Sequence, residues 1–288
     1  MPAPLLFVLS GLTQYVGAAL AVGIFGTIAA ASVAWLRIAV SAVVLVAWQR
    51  PWRVRWHLPD LRVAVVFGVV LALMNVAFYI AIDHLPLGTA VAIEFLGPVA
   101  VAAVTGRGWR DRVGIAVAAV GVVLLAGVSL ESGPDAVLGL VAILVSAACW
   151  AAYIVLGRRV ARAANGGITG LSVAMAAGAV VFAPFLAGGA EPVLHDARLA
   201  ALVVAIAVCS SVVPYALEQV VLRRVRAATF AILLALLPAT AAVVGAVVLQ
   251  QVPHGLEVVG LLLVSGAIVL TGLDRDEPPP TQEAPPPA

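Results

Sequence analysis

The chain has 288 residues, of which 64% are hydrophobic and only 10% charged. Soluble domains carry about a quarter of their residues as charged side chains, so this composition excludes a water-facing surface and makes lipid the solvent for most side chains. The net charge of +2 rests on 16 basic residues, all of them Arg, and no basic run suggests nucleic-acid binding.

A helix needs about 20 apolar residues to cross a hydrocarbon core of about 30 Å. Charges, Pro and Gly mark off ten such segments. The first half gives 4–25, 29–49, 62–82, 86–105 and 112–130. The second half gives 136–157, 168–188, 198–218, 226–249 and 255–273. The segment from Pro4 to Phe25 lacks a positive n-region and is too long for a cleaved h-region, so it reads as a retained first helix. Short connections make neighbouring helices antiparallel hairpins.

The arginines set the orientation. With the amino terminus in the cytoplasm, inner links hold Arg50, Arg53, Arg55 and Arg62, then Arg107, Arg110 and Arg112. The later inner links hold Arg158, Arg159 and Arg162, then Arg223, Arg224 and Arg226. The outer links hold one cation, Arg198, beside Asp83, Glu131, Asp135, Glu191, Asp196 and Glu257. The positive-inside rule then places both termini in the cytoplasm of a multi-pass protein of the cytoplasmic membrane. Residues 274–288 are acidic and rich in Pro and read as a disordered tail.

A repeat with a period of about 140 residues relates Leu87-Gly88-Thr89 and Gly97-Pro98 to Ala227-Ala228-Thr229 and Leu237-Pro238. Five helices per half is an odd number, so the halves face opposite ways. Asp83-His84 on one side aligns with Arg223-Arg224 on the other. The expected architecture is therefore all-α, with two inverted five-helix repeats at 1–130 and 131–273. Such repeats are a common plan of secondary transporters, which bind substrate at mid-membrane between the halves.

Polar groups inside lipid are costly, at about 2.5–3.5 kcal/mol for a charge at the helix centre. Arg37 in the second helix and Glu94 in the fourth both lie about eight residues, or roughly 12 Å, from the outer boundary. Equal depth allows a structural ion pair; it equally allows Glu94 as a proton site and Arg37 as a substrate-carboxylate site. Gln14, Tyr15, Asn75 and Tyr79 fall at comparable depth, and Asn75 and Tyr79 share one helix face. They line a polar cavity or bond helix to helix. The second half adds Trp150, Tyr153, Ser210, Ser211, Pro214 and Tyr215, the last aligned with Asn75. Pro98 and Pro238 kink the fourth and ninth helices in equivalent places. Glu218 and Gln219 sit near the inner end of the eighth helix, where a carboxylate either serves transport or pairs with Arg223.

Cys149 and Cys209 stand apart in apolar runs, as inert thiols. His57, His84, His195 and His254 form no spaced ligand set, so neither a metal nor another cofactor is expected. With no P-loop, an ATP-driven pump is excluded for this chain alone.

Several stretches, in order, resemble one family. They are Leu36-Arg37, Pro51-Trp52-Arg53, Met74-Asn75 with Phe78-Tyr79, Pro86-Leu87-Gly88, and Val91-Ala92-Ile93-Glu94-Phe95-Leu96-Gly97-Pro98. They continue with Ala148-Cys149-Trp150-Ala151 and Tyr153, Pro214-Tyr215-Ala216-Leu217-Glu218, and Thr229-Phe230. The chain resembles the EamA branch of the drug/metabolite transporter superfamily, and within it the bacterial inner-membrane threonine/homoserine exporters. The resemblance implies ten helices in two inverted EamA repeats and amino-acid efflux driven by protons. It carries Asn75, Tyr79, Glu94, Trp150, Tyr153 and Tyr215 into the cavity. Two places depart from the pattern: Leu237 stands where relatives often have Glu, and Gln250-Gln251 where they tend to have Gly-Glu.

The expected function is therefore proton-coupled export of a small amino acid by alternating access, with the lipid bilayer as surroundings. A drug, metabolite or nucleobase carrier on the same scaffold is the nearest alternative. An intramembrane enzyme or a structural membrane protein is the alternative of another class. An enzyme needs a reactive constellation at one depth, and the sequence offers only the Arg37–Glu94 couple. The sequence assigns no oligomeric state.

Overall fold

The computed structural model describes residues 3–105, 109–131, 133, 135–162, 167–214, 217 and 233–273, and every regular element among them is helical. In chain order these are α1 (Ala3–Val22), α2 (Ala30–Gln49), α3 (Leu58–His84), α4 (Leu87–Glu94), α5 (Leu96–Thr105) and α6 (Trp109–Glu131). They continue as α7 (Asp135–Arg162), α8 (Ile168–Leu186), α9 (Glu191–His195), α10 (Ala197–Ala207), α11 (Leu236–Val248) and α12 (Leu256–Leu273). Single 3-10 turns follow α2 at Pro51–Arg53 and α8 at Ala187–Ala190.

Six helical stretches are long and apolar enough to cross a membrane: Leu5–Val22, Ala30–Arg53, Leu58–His84, Trp109–Leu130, Asp135–Gly157 and Ile168–His195. Four shorter apolar stretches, Leu87–Ala102, Ala197–Val212, Leu236–Val248 and Leu256–Thr271, fall where further membrane helices are expected. Their shortness has local causes. The expected helix over 86–105 is broken at Phe95, because Pro98 has no N–H for the Glu94 carbonyl and starts a new helix at Leu96. An equivalent break at Ala235 precedes Pro238. Phe95 and Ala235 turn with nearly the same backbone angles, φ −63° ψ −9° and φ −64° ψ −16°. The expected start of the 226–249 helix lies outside the described residues.

Other ends follow ordinary rules. Pro59 in the first turn lets α3 begin at Leu58, earlier than the 62–82 expected from hydropathy. Arg50 closes α2 in the left-handed region at φ 49°, donating its N–H to Val46 O, and Pro51 prevents continuation.

At the centre, α3 lies antiparallel to α7 and is flanked by α2 and α8; α6 pairs with α12 at one side. The α3–α8 crossing requires glycine. A Cβ on Gly68 would run into the Ala174 carbonyl, and one on Gly178 would come within 2.5 Å of the Gly68 carbonyl. Without an apolar-burial drive inside lipid, such close backbone packing is what holds helices together.

The outside is greasier than the inside. Phe185 is 80% exposed, Val123 70% and Leu262 68%, while Arg37, Ser41, Asn75, Ser146, Ser210 and Ser211 are buried. Water would penalise that arrangement, and lipid favours it.

Gly68→Val should destabilise the bundle by about 1–3 kcal/mol or more, because the clash is with backbone that cannot rotate away. Gly266→Ala, which meets nothing within 4 Å, should leave stability unchanged or slightly raised. Thermal unfolding in detergent compares the two.

Candidate functional site

Two polar stations occupy the apolar interior. The first is built around Arg37 on α2. Its Nε donates to Ser211 Oγ at 3.0 Å, its Nη2 to the Ser210 carbonyl at 2.7 Å, and its Nη1 to the Tyr79 hydroxyl at 3.4 Å. The guanidinium carbon also lies 5.4 Å from the centre of the Tyr79 ring, within cation–π range.

Proline explains why the Ser210 carbonyl is available. In a regular helix the N–H of residue 214 would occupy it, and Pro214 has none. Here α10 widens into a π-helical turn over Val208–Val212, with the Val213 N–H reaching back to Val208 O. Arg37 fills part of the resulting deficit. Two further bonds fasten the same turn: Ser41 Oγ donates to Ala207 O at 3.4 Å, and Ser210 Oγ to Gln14 O at 3.1 Å. Gly17 makes room for Ser210 Oγ on α1. A guanidinium has five N–H donors; among the described residues three are engaged, which leaves two for another acceptor.

The second station is built around Glu94, the last residue of α4. Ser146 Oγ on α7 lies 2.5 Å from Glu94 Oε1 and 3.0 Å from the Met74 carbonyl on α3. One turn further along α7, Trp150 meets Phe95 edge to face, with ring centres 4.7 Å apart. Gly97 allows this approach, since a Cβ there would strike the Ala147 carbonyl. Because Pro98 cannot donate, the Glu94 carbonyl also lacks its regular helical partner.

Arg37 and Glu94 do not form the direct ion pair that equal depth allowed. Arg37 takes neutral oxygens and Glu94 takes Ser146. Between them runs α3, offering Tyr79 to one and the Met74 carbonyl to the other. Asn75 is buried on α3 and donates from Nδ2 to Leu71 O at 2.8 Å.

The remaining expected residues scatter. Tyr15 is buried on α1. Gln14 joins the first station through its backbone carbonyl. Tyr153 stacks on Phe67 at 4.8 Å, seven residues along α7 from Ser146, or about 10 Å away. Tyr215 lies outside the described residues, as do Glu218 and Gln219. Ser41, Ser146 and the Met74 carbonyl were not foreseen. A serine in an apolar run, four residues before Trp150 and so on its face, was the available signal for Ser146.

At the far end of α4 a cleft of about 370 Å³ is lined by Thr89, Gln250, Gln251, His254 and Glu257 among others. Gln251, at one of the two departures from the family pattern, accepts the Leu87 N–H at 2.9 Å and so caps α4. Among the described residues no group of His, Cys, Asp and Glu could hold a metal ion.

The model of the EamA-like transporter family matches residues 137–273. The threonine/homoserine exporter RhtA of Salmonella typhimurium strain LT2 is 34% identical over 251 residues, covering 87% of this chain and 84% of its own. The exporter of the same name from Escherichia coli K12 is 34% identical over 257 residues, covering 89% and 85%. A solved crystal structure shares the fold over 96% of this chain and 99% of its own, with a TM-score of 0.60 at 17% identity. With these relatives and its apolar helices, the chain belongs to the EamA-like transporter family and is a membrane transporter rather than an enzyme.

Proposed function

We propose that the protein exports a small neutral amino acid, of the threonine or homoserine kind, across the cytoplasmic membrane in exchange for protons. The observation that carries this reading is the separation of Arg37 from Glu94. Each charge is held by neutral groups, and neither neutralises the other. With α3 between them, the two stations lie too far apart for one α-amino acid, whose charges share a carbon, to bridge, so they take separate roles. The two N–H groups of Arg37 left unengaged among the described residues offer a site for the carboxylate. Glu94 is the proton site, and its protonation is the elementary step of exchange.

The scaffold we propose is two inverted repeats, residues 1–130 and 131–273, moving by alternating access. Its support is the pair of helix breaks at Phe95 and Ala235, 140 residues apart and each three residues before a proline. Gly88 packs on Ala242 and Leu87 beside Gly245, an antiparallel register that brings residue 95 level with 235–237. The arginine distribution supports a cytoplasmic location for both termini.

Glu94→Gln should abolish threonine and homoserine export, by at least about tenfold, with protein still present in the membrane. Undiminished export by that variant refutes the assignment. Arg37→Lys should also lose export, since an ammonium cannot reach Ser210 O, Ser211 Oγ and Tyr79 with one planar fork. Cells expressing each variant are scored by amino acid released and by membrane-fraction immunoblot; wild-type release from Arg37→Lys cells counts against a carboxylate site there.

A further inference from the structure

The Ser146 hydroxyl stands between two acceptors and has one proton to give. Its Oγ is 3.0 Å from the Met74 carbonyl and 2.5 Å from Glu94 Oε1. A carboxylate only accepts, so facing an ionised Glu94 the hydroxyl spends its proton on Oε1 and gives none to Met74. A protonated Glu94 donates to Ser146 Oγ, which turns its own proton to the Met74 carbonyl. The same heavy-atom positions serve both states.

Building on the assignment of Glu94 as the proton site, we propose that Ser146 is the positioning residue that transmits the charge state of Glu94 to α3. The proton taken up by Glu94 comes from water, and Ser146 keeps one proton throughout; only its O–H direction reverses. With Glu94 protonated, α4, α7 and α3 are tied in a chain of two hydrogen bonds. With Glu94 ionised, this hydrogen bond to α3 is lost and the packing of α3 on α7 alone holds the two together there. The segment it grips carries Asn75 and Tyr79, and Tyr79 is a partner of Arg37. The proton at one station thereby sets the hold on the helix that serves the other. Ser146 is wholly buried, so no bulk water substitutes for its hydroxyl.

The charges around this switch are few. Among the described residues Arg37 on α2 acts on Glu94 through its charge, and Glu94 in turn acts on the Cys149 thiol on α7. In its middle α3 adds only Tyr79, α11 and α8 carry no ionisable residue, and α6 and α12 carry theirs near their ends.

The test uses the full-length protein in liposomes loaded with threonine. Ser146→Ala should lose the stimulation of efflux by a proton gradient, on the order of tenfold if one hydrogen bond carries the coupling. Threonine counterflow at equal pH, which needs binding but no gradient, should fall by a smaller factor than the gradient-driven efflux. Ser146→Thr, which restores a hydroxyl, should regain the gradient response. Equal loss of gradient response and counterflow in both variants, or a full gradient response in Ser146→Ala, overturns the proposal.

Infrared spectra give a readout that a packing defect would not move. The protonated-carboxyl band that depends on Glu94 should shift to higher frequency in Ser146→Ala, where its hydrogen bond is lost, and return in Ser146→Thr. An unshifted band overturns the role of Ser146 alone. No band that disappears in Glu94→Gln instead removes the assignment of Glu94 itself, and the two failures are distinguishable.

Discussion

A proline in a membrane helix leaves a carbonyl without its donor, and lipid supplies no water to replace it. The bond from Arg37 to the Ser210 carbonyl answers that constraint. Pro214 strips the carbonyl, the π turn at Val208–Val212 opens the backbone, and a cation on α2 closes the gap. Arg37 is thus held by the very defect it repairs. A hydrogen bond to a charged group contributes about 1.5–3 kcal/mol, comparable to the cost of about 2.5–3.5 kcal/mol for placing the charge at helix centre. Arg37 makes three such bonds, which is enough to keep a guanidinium in apolar surroundings without an acidic partner.

The same logic reaches the other side of the bundle less completely. Pro98 deprives the Glu94 carbonyl, and Glu94 ends α4 beside that break. Backbone approach then does the positioning. Gly97 lets α5 lie on α7 at Ala147, which brings Glu94 to Ser146 and Phe95 to Trp150. Gly68 and Gly178 set α3 against α8 in the same manner. Since α3 touches both stations, a shift of one helix alters both. Such a helix, held by a few hydrogen bonds and close backbone contacts, suits movement better than one locked by large interdigitating side chains.

The helical class, the apolar segments and the two proline breaks were legible in the sequence because each is a local property. Length against bilayer thickness and a missing N–H need no tertiary information. The Arg37–Glu94 relation was not legible. Counting residues from a boundary gives depth along the membrane normal and says nothing of rotation about the axis or of which helices are neighbours. Tyr153 shows the same gap: it shares α7 with Ser146 and Trp150, yet stacks on Phe67 about 10 Å from Ser146. Ser146 was missed because a lone serine in an apolar helix usually bonds its own backbone; here it reaches across to Met74 and Glu94. Gln251 looked like the loss of a carboxylate and proves to cap α4 with its amide oxygen.

Keeping opposite charges apart is physically consequential. Two unit charges 4 Å apart attract by about 4 kcal/mol at an effective dielectric of 20, and an ammonium or carboxylate arriving from water would have to break that attraction before binding. Neutral partners present a lower barrier: a hydroxyl or a carbonyl can be exchanged for a charged ligand with net gain. Among the described residues Arg37 retains two N–H groups and Glu94 shares its carboxylate with one serine, so each can accept a charge without first releasing one. An ion pair would have locked α2 to α4 and left neither charge available. The serines and the proline-freed carbonyl therefore belong to the candidate site with the two charges, since they let both remain in the membrane and remain available.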